Sequence, residues 1–218
     1  MRKEQTATFD SGSLTLRVAL PEDSSEAAKL IFMTGTRIFK YLFYPQDDRT
    51  CRVLKCLFEL DNNEFGYQNV TIAEVQSKIC GLIHCVDRTE MIRNHKAMGP
   101  KMIRAMGFFP ALIRIPRSIQ FERIFPDIDS DTLYIGHLST FEACRRQGIA
   151  GRLLSLSEQQ ARQNRLAKLV LDVELDNEIA IPVYERYGFK IATKIESPKF
   201  KARFGFPGAY RMEKAIFL

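Results

Sequence analysis

A basic, glycine-rich elbow, "RRQGIAGRLL" at Arg145 to Leu154, stands between a β-prone segment and an amphipathic helix. No other feature constrains the chain so strongly. The backbone N–H groups that open a helix have no partners within it and carry the positive end of its dipole. Gly148, Ala150 and Gly151 keep bulky side chains away from them, and Arg145, Arg146 and Arg152 add positive charge. Such an elbow suits a pyrophosphate. It can also be a strand-to-helix turn that needs glycine only for its backbone angles. Two other phosphate loops are excluded, because the chain contains no GxxxxGK[ST] and no GxGxxG after its first strand.

The surrounding periodicities place the elbow in a mixed α+β architecture. "SLTLRVA" (13–19) alternates as a strand, and Pro21 to Ser25 form a turn leading into a helix through "EAAKLIFMTGTRIFKYLF". "NVTIAEV" (69–75), "QSK" and "ICGLIHCV" (79–86) spell an antiparallel hairpin. "TLYIGHLST" (132–140) is the strand before the elbow, and the helix after it repeats Ile149, Leu153, Leu156 and Ala161 at helical spacing. "AKLVLDVEL" (167–175) is an apolar, buried strand. Asn177 caps a further helix to about Tyr187, Gly188 ends it, and "FKIATKI" and "AYRMEKAIFL" complete the sheet. Residues 89–125 mix apolar and basic residues and contain Pro100, Pro110 and Pro116, which predict helical fragments with breaks. Packing over the sheet is the expected fate of this segment, ahead of an amphipathic surface helix.

Composition narrows the class. At 218 residues the chain suits one domain, 1–218. No run approaches the ~20 apolar residues of a membrane span, and the start lacks the apolar centre of a secretory signal, so a cytoplasmic location is expected. Cys51, Cys56, Cys80, Cys85 and Cys144 lack zinc-site spacing, and His84, His95 and His137 are scattered, so no metal is expected. The net charge of +6 suits a polyanionic partner, which includes a phosphorylated cofactor. With no basic tail or repeat, a nucleic-acid partner is not expected.

The elbow gains a specific meaning from the segment downstream of it. "HLSTFEACRRQGIAGRLL" and "LDVELDNEIAIPVYERYGF" together resemble the acyl-CoA-binding half of the GNAT superfamily of acyl-CoA N-acyltransferases. Arg145, Gly148 and Ala150 match that family's [RQ]xxGx[GA] loop, and Asn177, Ala180, Tyr184, Gly188 and Phe189 match its NxxAxxxYxxxGF pattern throughout. The likeness is strong over 132–195 and consistent before it, and 89–125 looks like a helical insertion before the fourth strand.

The resemblance implies a GNAT-like fold, with a mostly antiparallel mixed sheet whose fourth and fifth strands splay apart. It implies acetyl-CoA as co-substrate and transfer of the acetyl group to a primary amine of a small-molecule or peptide acceptor. Leu138, Ser139 and Thr140 would hold the pantetheine arm through their backbone, with the Leu138 N–H on the thioester carbonyl. Arg145, Arg146, Gln147, Gly148, Ile149, Ala150 and Gly151 would wrap the pyrophosphate, and Asn177 would bond the arm or cap its helix. Tyr184 matches the family's general acid. The base stays open among Tyr134, His137, Glu74, Asp172 and Glu174. Strict alternation puts Tyr134, Gly136 and Leu138 on one face and His137 on the other, unless a bulge resets it. The alternative is a non-catalytic acyl-CoA sensor or interaction domain. Monomer and homodimer both remain open.

Overall fold

The computed structural model describes residues 7–8 and 14–216. Among the described residues, eight strands form one sheet in the order β1-β2-β3-β4-β5-β6-β8-β7. They are β1 (Ala7–Thr8), β2 (Leu14–Val18), β3 (Val70–Val75), β4 (Lys78–Asp87), β5 (Thr132–Thr140), β6 (Lys168–Glu174), β7 (Lys190–Glu196) and β8 (Gly208–Ala215). All neighbours are antiparallel except β5 and β6, which run parallel. The β3–β4 hairpin turns through Gln76 and Ser77, both with positive φ, as its tight twist requires.

The described residues also form eight α-helices, which cover the two faces: α1 (Ser24–Thr34), α2 (Thr36–Leu42), α3 (Asp47–Glu59), α4 (Arg88–Met106), α5 (Phe108–Glu122), α6 (Ile149–Gln163), α7 (Ala180–Arg186) and α8 (Pro198–Phe204). One core layer joins α1 to α5 and α8 to the sheet through Leu30, Leu54, Phe58, Met102, Phe121 and Phe200. The other joins α6 and Phe189 to the opposite face through Leu153, Leu154, Leu169 and Met212.

Two expectations need correction. The first helix breaks at Gly35, giving α1 and α2. The insertion is not broken at its prolines: Pro100 and Pro116 lie inside α4 and α5, and the break comes at Gly107, with φ of 87°. Both prolines are exposed, as are Lys96 and Leu112 four residues earlier, so water can take the carbonyls their missing N–H groups leave unbonded. The insertion does pack over the sheet, through Met102, Ala111 and Phe121. Residues 198–204, to which the sequence pattern assigns no element, form α8. The last strand, β8, inserts between β6 and β7.

Two features of β5 shape the region around the elbow. β5 pairs with β6 only from Thr132 to Ile135, opposite Lys168 to Leu171, so Gly136–Thr140 and Asp172–Glu174 part company and the sheet forks. On its other side β5 pairs with β4 along its length, but the register slips between His84 and Cys85, leaving Gly136 as a bulge.

Candidate active site

The bulge resets the alternation of β5. Leu133, Ile135 and Leu138 belong to the α6 side of the sheet, whereas the His137 ring packs against Phe39 and Phe65 on the other. Tyr134 and His137 therefore share a face, which strict alternation did not foresee. Gly136 has its own reason to be glycine, since a Cβ there would stand 2.8 Å from His84 Nδ1.

The fork exposes backbone in a defined pattern. Phe141 N donates to Cys80 O at 2.9 Å, which makes Cys80–Phe141 a hydrogen-bonded pair of the antiparallel β4–β5 ladder. Such pairs alternate, so Leu82–Ser139 and His84–His137 are bonded as well, while Leu138 and Thr140 turn their N–H and C=O away from β4. Those groups face the gap where β6 has departed. Ser139 was expected to present its backbone too, but the ladder with Leu82 consumes it.

At the end of β5 the chain makes a short 3-10 turn (Glu142–Cys144) and enters the elbow. Arg146 and Gly148 both have positive φ, 61° and 76°, and α6 begins without a side-chain cap. Alternation of left-handed and ordinary backbone turns successive N–H groups to one side. A Cβ on Gly148 or Gly151 would meet nothing within 4 Å. The glycines thus leave open space that the protein's own packing does not use, as a bound pyrophosphate requires. Arg145, Arg146 and Gln147 are exposed beside it.

Across the gap, Asn177 Oδ1 accepts from Ala180 N at 3.0 Å, so this side chain caps the first turn of α7. The helix closes on Gly188, with φ of 99°, where Phe189 N donates to Tyr184 O at 3.0 Å and the two rings meet edge to face. This αL closure with its ring contact explains why the tyrosine, glycine and phenylalanine occur together. Burial pushes the Tyr184 phenol up to about 12, so it stays protonated at neutral pH.

At the apex of the fork, Arg211 of β8 grips Asp172 of β6 with two bonds, Nε to Oδ1 at 2.9 Å and Nη2 to Oδ2 at 2.8 Å. It also donates to the carbonyls of Pro126 and Asp127. Tyr134 Oη donates to Asp172 Oδ2 at 3.1 Å. Burial, with the Asp172 charge beside it, pushes the Tyr134 phenol well above its usual range, so Tyr134 is a proton donor here and unsuited to be a base. His137 fits no better. Thr34 Oγ1 already donates to Ile31 O, so His137 Nδ1–H donates to Thr34 Oγ1 at 3.0 Å, and burial together with neighbouring His84 pushes the ring down to about 3. Glu74 is tied to Arg17 between β2 and β3, outside the cavity. Glu174 pairs with Arg37, and burial raises its carboxyl.

These parts line one cavity of about 1040 Å³, running from the elbow through the fork to the insertion helices. His84, which the sequence did not single out, is only 3% exposed there, with neither ring nitrogen hydrogen-bonded, and burial holds it down to about 4. Also unforeseen were Glu64, His95 and Glu122, which the insertion brings into the same lining. Their ligand-type atoms lie within 4.8 Å of one another, the one such group among the described residues. His95 Nε2 is 2.6 Å from Glu64 Oε1, and that bond raises the imidazole to about 9, so a metal ion would have to displace a proton from the ring at neutral pH. All five cysteines are free thiols. Among the described residues, no helix is long and apolar enough to cross a membrane.

Residues 36–189 match the model of the acetyltransferase (GNAT) family. Two curated relatives are similar over shorter stretches. GCN5-related N-acetyltransferase 6, chloroplastic, from Arabidopsis thaliana is 33% identical over 69 residues, or 32% of this chain and 23% of its own length. Acetyltransferase Atu2258 from Agrobacterium fabrum is 43% identical over 65 residues, or 30% of this chain and 44% of its own. The chain therefore spans less than half the length of either. Among solved structures, an N-acetyltransferase from Staphylococcus aureus Mu50 superposes with a TM-score of 0.66 at 22% identity, over 91% of this chain and 99% of that one. The PaiA N-acetyltransferase from Thermoplasma acidophilum, solved in complex with coenzyme A, gives 0.55 at 14%, over 93% and 99%. At these identities the agreement is one of fold.

Proposed function

This chain belongs to the GNAT acetyltransferase family, and from that premise we propose that it moves an acetyl group from acetyl-CoA to a primary amine by direct transfer. One observation carries the reading: the fork leaves Leu138 and Thr140 with unpaired backbone groups along a cavity that begins at an uncapped, glycine-lined helix start. In that gap Leu138 and Thr140 bond the pantetheine arm as a neighbouring strand would. Ile149, Ala150 and Gly151 offer their N–H groups to the pyrophosphate, and Arg145 and Arg146 neutralise it. Asn177 acts through its helix, fixing the start of α7. Acetyl-CoA supplies the activated acetyl group, and coenzyme A leaves as the thiolate.

The chain's own residues then divide the work. The Leu138 N–H polarises the thioester carbonyl as charge develops on its oxygen. Tyr184, protonated, gives its proton to the departing sulfur. His84 is the only imidazole among the described residues with both nitrogens buried and unbonded, and it receives the proton the amine must lose. Burial disfavours the imidazolium, so the ring gives that proton up to bulk water, which reaches the cavity at its exposed elbow end. The continuous sheet and its two helical layers support treating 1–218 as a single N-acetyltransferase domain, with α4 and α5 as its insertion.

The test is thiol release from acetyl-CoA with a panel of primary amines. Transfer should be seen with at least one, and Tyr184→Phe should lower kcat on it by about 10²–10⁴. Acetyl-CoA binding without transfer to any amine would refute the enzyme reading and favour a sensor. Activity within about twofold of wild type in Tyr184→Phe would remove the acid role.

A further inference from the structure

The cavity carries opposite charge at its two ends. Beside the elbow it is lined by Arg145, Arg146 and Arg186, whereas beyond the fork it is lined by Glu64, Glu122 and Asp127. Arg211 and Asp172 neutralise each other between these ends. His95 is hydrogen-bonded to Glu64 and lies near Glu122 as well, so two carboxylates share one cation and the cluster keeps an excess of negative charge when both are ionised. No side chain among the described residues donates a hydrogen bond to Glu122. Burial and the charge of Glu64 raise its carboxyl to about 7, with His95 acting in the opposite sense. An arrangement that disfavours its own ionisation is stabilised by a cation placed against it.

A second observation points the same way. Asn94, one residue before His95 on α4, is 1% exposed and lines the cavity, yet both its amide nitrogen and its oxygen lack partners. A buried amide left unbonded destabilises the free protein, and a ligand carrying N–H groups would recover part of that loss. Between this subsite and the fork the walls are Phe39, Phe65, Met91, Phe121 and Phe125, apolar surface suited to a hydrocarbon spacer.

Resting on the transfer reading above, we propose that the acceptor is an amine bearing a second positive charge, and that Glu64, Glu122 and Asn94 hold that distal cation while the near amine reaches the fork. The acids lie on the loop before β3 and at the end of α5, and Asn94 lies on α4, so the insertion helices together with that loop select the acceptor and the fork performs the transfer.

The test compares acceptors with the same carbon chain: cadaverine against pentylamine, and agmatine against butylamine. In the wild type, kcat/KM should favour the dication by at least about tenfold, and that ratio should fall by at least about tenfold in Glu122→Gln and in Glu64→Gln, chiefly through KM. Glutamine is isosteric, and at residue 122 it removes a like-charge repulsion with Glu64. The wild-type ratio should rise between about pH 6 and 8 as Glu122 ionises against Glu64, His95 and Asp127, and Glu122→Gln should flatten that rise. Equal use of monocation and dication, or a ratio unchanged in both variants, overturns the proposal. So does a preference abolished by chelation and restored by a divalent metal. If no amine is acetylated, the transfer reading fails and cadaverine titrated calorimetrically into the protein with coenzyme A decides the matter: binding weakened about tenfold or more in the variants upholds the subsite, and absent or unchanged binding sinks it.

Discussion

Replacing Arg211 by Met removes the clasp at the apex of the fork while keeping the length of the side chain. Arg211 and Asp172 are 7% and 6% exposed, and the pair is bidentate. Four charge-assisted bonds would disappear, two to Asp172 and two to the Pro126 and Asp127 carbonyls. The Asp172 carboxylate would then keep only the Tyr134 hydroxyl. Orphaning one partner of a buried pair costs about 3–5 kcal/mol, a large share of the 5–15 kcal/mol typical of a folded domain. For a chain of this size each kcal/mol moves Tm by about 2–4 °C, so the expected fall is about 6–20 °C. Thermal unfolding followed by circular dichroism reads it directly. The double variant Arg211→Met with Asp172→Leu should recover part of the loss, because the orphaned charge is gone. A fall of less than about 3 °C in the single variant, or a double variant no more stable than the single, would refute the assignment of this pair as the clasp.

Two further substitutions separate packing from ligand space. Gly151→Ala should raise Tm by about 1–4 °C, since alanine suits a helix better and its Cβ meets nothing, whereas Gly151→Leu should weaken acetyl-CoA binding in calorimetry at least about tenfold; equal affinity would place the pyrophosphate elsewhere. Gly136→Ala sets a methyl 2.8 Å from His84 Nδ1 and should cost about 1–3 kcal/mol by denaturant titration, with a larger proportional loss of acetyl transfer; unchanged turnover would remove His84 from the reaction.

What could be read in advance was local. Gly148, opening a helix in αL, and Gly188, closing one, impose their conformations within a few residues, and both motifs are found where their spacing put them. The β3–β4 hairpin is equally short-range. Features set by tertiary context escaped. Pro100 and Pro116 should break helices, yet an exposed face let water replace the lost bonds. The bulge at Gly136 depends on where β4 slips its register, which no pattern within β5 records. Ser139 differs from Leu138 and Thr140 only in which side of the ladder its backbone faces. Glu64, His95 and Glu122 are separated by 31 and 27 residues and meet because α4 and α5 fold back over the sheet. No window along the chain contains all three.

The closure of α7 on Gly188 has a consequence for how such a protein can change. The tyrosine is aimed from behind, by its own carbonyl and by the ring of Phe189, and neither belongs to the insertion that walls the far cavity. Aim and appetite are therefore inherited separately. Substitutions among the insertion's side chains can retune what enters without disturbing where the phenol points, and a change at Gly188 can misdirect the phenol while every cavity-wall residue of the insertion stays in place.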